Sequence, residues 1–160
     1  MKKILPSVAR RLVLTSFLIY VFGVLEVTLL SRVPRPLGTI RPNLIPFWSI
    51  YDEIYFTFSW RIQNWGYSGF MIMVRHLGGN LILLAPLGLY LPLFLKGINT
   101  PGKMALAGFL ASLAIETTQL LTGRGQFNVD DLFLNTLGAW LGYLLFFRSS
   151  LFKAVIWLVK

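Results

Sequence analysis

Glu116 and Gln119 stand three residues apart, and Ser112 lies four before Glu116, so all three would share one face of a helix. A short turn later comes Arg124, then the run Phe127-Asn128-Val129-Asp130-Asp131, and Asp131 and Asn135, four apart, share a face of the next helix. Carboxylates in such a set can supply a general acid and base, or oxygen ligands for Mg²⁺. A guanidinium among them offers charge-assisted hydrogen bonds to phosphate or carboxylate. Each residue also has a structural use. Asp130 or Asp131 would cap the following helix and complement its positive end. Arg124 would neutralise Glu116 or an aspartate, and Asn80 and Asn135 would tie helices together at about 0.6–2 kcal/mol apiece. The chain has one histidine, no cysteine, and neither a G-x-S-x-G nor an H-E-x-x-H motif. Thiol chemistry, Cys-ligated metals and sites needing two histidines are therefore excluded.

The elements carrying these residues are apolar. Of 160 residues, 56% are hydrophobic and 13% charged, with a mean hydropathy of +0.68. A soluble domain carries about a quarter charged residues, so a water-soluble monomer does not fit. The net charge of +9 then points to an anionic bilayer surface and away from nucleic acid. A crossing helix needs about 20 apolar residues at ~1.5 Å rise each. Four runs answer to that: residues 12–30, 77–95, 104–121 and 132–147. They predict an all-α, polytopic membrane bundle of about four transmembrane helices, forming one domain over residues 1–160. The first run follows Lys2, Lys3, Arg10 and Arg11 without a small-residue cleavage site, which marks a retained anchor. Residues 54–74, rich in Trp and Tyr but broken by Arg61, Gln63, Asn64 and Gly66, predict an interfacial or re-entrant segment, with a fifth crossing as the alternative. Residues 151–160 are too short to span and predict a second interfacial piece. Gly138 and Gly142 would let helices approach closely, and His76 would sit at the headgroup boundary.

With four crossings, nine of the 15 Lys and Arg residues fall on the side of the two termini, which the positive-inside rule places in the cytoplasm of a cell-membrane protein. The same threading brings Glu26, Asn80, Glu116, Gln119, Asp130, Asp131 and Asn135 to the opposite, extracytoplasmic face. As a set they predict a polar pocket open to the outer leaflet.

Further residues extend the pattern. Arg41-Pro42-Asn43-Leu44-Ile45-Pro46-Phe47 precedes Asn80, Pro86 and Gly88; then come Ile115-Glu116, Gln119, Arg124, the Phe127-to-Asp131 run, and Asn135-Thr136-Leu137-Gly138-Ala139. In order and spacing this set resembles the VanZ-like family of small bacterial membrane proteins, over about residues 40–145. Two positions depart from that family's pattern: Leu84 replaces a common aromatic, and Asn128 replaces a common Asp, removing a possible carboxylate. The resemblance implies an integral membrane protein of the cell envelope, its founding members being associated with low-level resistance to the glycopeptide teicoplanin. The expected pocket comprises Arg41, Asn43, Pro46, Asn80, Glu116, Gln119, Arg124, Asp130, Asp131 and Asn135. Its expected partners are membrane lipids, a lipid-linked cell-wall precursor or a glycopeptide antibiotic, held without catalysis, cofactor or metal, and with no nucleic acid. Two other classes stay open: an intramembrane enzyme acting on a lipid or polyprenyl phosphate through Glu116, Asp130 and Asp131, and a small transporter using a helix broken at Pro86.

Overall fold

The computed structural model describes residues 4–149; the expected interfacial tail at residues 151–160 lies outside them. Helix α1 (Ile4–Leu25) runs on into a π-helical turn, Glu26–Leu30. After an irregular stretch, α2 (Trp48–Phe56), a second π turn (Thr57–Arg61) and α3 (Ile62–Trp65) form one nearly continuous arm. Gly66, at φ 55°, reverses the chain at a conformation that glycine adopts without a Cβ penalty. The arm folds back on α4 (Tyr67–Leu83), which is followed by α5 (Leu87–Phe94), α6 (Pro101–Leu121) and α7 (Val129–Arg148). Among the described residues there is no β-strand, only an isolated parallel bridge between Asn43 and Asn128.

Three helical stretches are long and apolar enough to cross a membrane: Val8–Leu30, Tyr67–Phe94 and Pro101–Leu121. The second begins at Tyr67, earlier than the expected residue 77, because Arg75 and His76 do not interrupt the helix. It changes direction at Leu84–Pro86, where Pro86 has no N–H to donate to Ile82 and the local bonds become i→i+3: Ala85 N to Ile82 O at 3.1 Å and Leu87 N to Leu84 O at 3.0 Å. The fourth long helix, α7, has 20 residues, or about 30 Å of rise, and carries polar residues over its first two turns. It can, because it sits at the middle of the bundle, packed on α4, α5 and α6.

Small residues make that packing possible. A side chain at Gly138 would overlap the Leu81 carbonyl, and one at Gly142 the Ala85 carbonyl. Gly88 and Gly108 are pressed against the 139–143 stretch and the Ala139 side chain. Leu84, Met104, Ala139 and Tyr143 form the buried centre. The α6 residues facing it, Met104, Gly108, Ser112, Glu116 and Gln119, recur every three or four positions and are all buried. Helix α1 is peripheral. It docks on α5 through Phe17 and Tyr20, with ring centroids 5.2 and 5.7 Å from Tyr90, and on the end of α4 through Tyr20 OH donating to Leu83 O at 2.9 Å. Leu12, Leu18, Ile19 and Phe22 point outward, as suits a lipid-facing helix.

Candidate functional site

The α6–α7 turn is laced to the segment after the first span. Asn43 N donates to Phe127 O (2.8 Å) and Val129 N to Asn43 O (3.0 Å), while Arg35 N donates to Gly123 O (2.8 Å). Gly123, at φ 67°, lies so close to Arg35 that a Cβ would overlap its carbonyl. Asn128 is the hub. Its backbone N–H donates to Glu116 Oε2 (3.0 Å) and its Nδ2 to Asp131 Oδ1 (3.1 Å) and Ser49 Oγ (3.0 Å). Its Oδ1 accepts from Asn43 Nδ2 (3.2 Å) and from Asp130 N (3.1 Å).

Asn128, then, caps α7, and neither aspartate does. Asp130 reaches across the chain to cap α2. Its Oδ1 accepts from Phe47 N (2.5 Å), and its Oδ2 from Ser49 N (2.8 Å), Ser49 Oγ (2.6 Å) and Ile50 N (3.2 Å). The local preference for Asp at a helix start is overridden by four donors on a distant segment. Arg124 also takes a structural place, and a different one from that expected. It pairs with no carboxylate; its Nη1 donates to the carbonyls of Leu29 (2.7 Å), Leu30 (3.3 Å) and Arg32 (2.9 Å), capping the end of the first span, where the carbonyls lack helical partners. Gln119 joins it there, Nε2 donating to Thr28 O (2.9 Å).

Around these fixed points lies a cavity of two lobes, of about 500 and 460 Å³, with Arg32, Glu53, His76, Asn80 and Asp131 lining both. Of the expected pocket residues, Asn80, Glu116, Gln119, Asp131 and Asn135 line the inner lobe, and Arg41, Asn43, Asn80 and Asp131 the outer. Pro46, Arg124 and Asp130 line neither. The cavity adds residues that the sequence reading left aside: Arg32, Glu53, Arg61, Arg75 and His76. Glu53, Thr57 and Arg61 recur at four-residue intervals, the one periodic signal that could have pointed to them.

The floor is buried and acidic. Glu116 is 2% exposed and Asn135 1%, and Asn135 Nδ2 donates to Ser112 Oγ (3.0 Å). The rim carries cations. Glu53 holds Arg61 with one carboxylate oxygen and approaches His76 Nδ1 (3.4 Å) with the other. The Arg61 guanidinium also covers the Phe56 ring at 5.0 Å. Among the described residues these are the only contacts within 4.0 Å between a basic and an acidic side chain. Arg32, Arg41 and Arg75 have no carboxylate within 4.0 Å, and neither Glu116 nor Asp131 has a basic side chain that close. Both π turns adjoin the cavity, Val27 and Thr28 from one and Arg61 from the other, a common placement for such irregularities.

The VanZ/LLP1 family model matches residues 17–153. The chain belongs to that family. No curated protein and no solved structure matches it. With its three long apolar helices it is a VanZ-like membrane protein, as the resemblance implied. Within this VanZ/LLP1 chain the motif segments meet at one place: the Arg41–Asn43 stretch, Asn80, Glu116 and Asp131 all border the same cavity. The two departures from the pattern have different settings. Leu84 is 2% exposed in the core, and Asn128 donates an amide hydrogen to Asp131 that a carboxylate could not supply.

Proposed function

We propose that the cavity receives the phosphate-bearing headgroup of an amphiphile from the outer leaflet of the cell membrane, without catalysis, both termini being cytoplasmic. A lipid-linked cell-wall precursor has this chemistry, and holding such a ligand is a route to the glycopeptide tolerance associated with the family. The observation that carries the reading is the trio of cavity guanidiniums without a carboxylate partner, Arg32, Arg41 and Arg75. All three are exposed where they border the cavity, and a guanidinium without a carboxylate partner is suited to bidentate hydrogen bonds to phosphate. The volume supports it too, since pockets for small ligands run from about 300 to 1,000 Å³. Trp48 lines the outer lobe, and the exposed rings of Tyr51 and Tyr55 follow it in succession; such amphipathic aromatics suit the headgroup level.

Arg41→Ala and Arg75→Ala are each expected to weaken binding of short-chain phospholipids by about tenfold or more, the value of one lost charge-assisted hydrogen bond. Thermal unfolding of the purified protein in detergent should stay unchanged, because neither side chain makes a hydrogen bond among the described residues. Fluorescence titration measures the first, and the same variants expressed in cells should lower teicoplanin tolerance at equal membrane abundance. Wild-type affinity in both variants would remove the reading.

A further inference from the structure

We infer that the amphiphile is zwitterionic and that a primary ammonium of its headgroup occupies the acidic floor while its phosphate lies among the rim guanidiniums. This rests on the reading above and adds the second half of the headgroup. Both signs of charge line one cavity without a close ion pair between them: Glu116, Asp131 and Asp52 on the acidic side, Arg32, Arg41 and Arg75 on the basic, with Arg32 and Asp131 bordering both lobes. Nothing geometrical prevents pairing in general, since Glu53 in the same cavity pairs with both Arg61 and His76. The floor is held open by neutral neighbours. Asn128 takes one oxygen of each carboxylate, through its backbone N–H to Glu116 Oε2 and its amide to Asp131 Oδ1. The other oxygens, Glu116 Oε1 and Asp131 Oδ2, have no hydrogen-bond partner among the described residues. One turn further along α7, Asn135 Oδ1 is buried and also unpartnered, although Asn135 lines the cavity. An orphaned buried acceptor is unfavourable by about 1–3 kcal/mol unless a donor reaches it. The two free carboxylate oxygens are acceptors for which an ammonium brings N–H donors and a compensating charge. A quaternary trimethylammonium has none to give, and a glycerol headgroup brings no positive charge to the carboxylates.

The test compares short-chain phosphatidylethanolamine, phosphatidylcholine and phosphatidylglycerol, titrated into the full-length protein in detergent, with and without Mg²⁺. Phosphatidylethanolamine is expected to bind about tenfold tighter than the other two, independently of Mg²⁺. Asp131→Asn should abolish that preference, reducing the phosphatidylethanolamine-to-phosphatidylcholine affinity ratio to within about twofold of one. Equal affinity for the three lipids, or phosphatidylglycerol binding that requires Mg²⁺, would overturn the ammonium site while leaving the phosphate reading intact. Binding of none of them would overturn both. The wild-type comparison of headgroups stands even if Asp131→Asn does not fold.

Discussion

Asp130→Ala is expected to detach α2 from the bundle and to lower stability by about 3–5 kcal/mol, one of the two largest effects of any single change in this chain. Asp130 is 0% exposed and satisfies four donors from Phe47, Ser49 and Ile50. A hydrogen bond to a charged group contributes about 1.5–3 kcal/mol, and contributions within one network do not add. The same carboxylate holds Phe47 at φ 64°, the only positive φ outside glycine among the described residues, a conformation that costs an L residue roughly 1–2 kcal/mol. Without the carboxylate, three backbone N–H groups and a hydroxyl lose their acceptor, and Phe47 is free to relax. Asp130→Asn keeps one acceptor and should fall between. Thermal unfolding in detergent measures the loss, and proteolysis should open first within residues 31–47. A variant that melts with the wild type, its α2 still protected, would show that the cap is dispensable.

Gly138→Val should be as damaging by a different route. Its Cα faces the Leu81 carbonyl so closely that even a methyl group has no room, and the obstacle is backbone, which cannot rotate away. Overpacking typically destabilises by about 1–3 kcal/mol when side chains can yield; here α4 and α7 must separate, and we expect about 3 kcal/mol or more. The separation would also spread the cavity wall, since Asn80 and Asn135 lie on these two helices. Gly78→Ala is the control, because a Cβ at Gly78 meets nothing within 4 Å. Recovery of monodisperse protein, followed by thermal unfolding, should separate the two: Gly78→Ala at wild-type level or better, Gly138→Val strongly reduced.

What was legible in the sequence divides along the range of the forces involved. Apolar runs of about 20 residues specify crossing helices because a bilayer offers the backbone no other partner, so α1, α5 and α6 lie where the sequence places them. The i, i+4 rows carrying Ser112 with Glu116 and Asp131 with Asn135 follow from helix geometry alone, and both border the cavity or bond into it. The start of the second span was not legible. Arg75 and His76 look like an interruption until Glu53, on a separate arm, faces His76. Asp130 and Arg124 show the same limit. A local rule gives each a plausible neighbour, but their partners are backbone groups 80 or more residues away in sequence. Only the docking of residues 31–50 against the α6–α7 turn decides between the two assignments.

We propose that the cavity lined by polar residues from separate helices opens to the outer face. The chain has no cysteine, so a single one can be introduced without background. Asn80, which lines both lobes, is the position that tests the claim most directly. In intact cells, Asn80→Cys should react with a membrane-impermeant thiol reagent added outside, and short-chain phosphatidylethanolamine should slow that reaction. Labelling that appears only after the membrane is permeabilised, or none in either condition, would contradict the account.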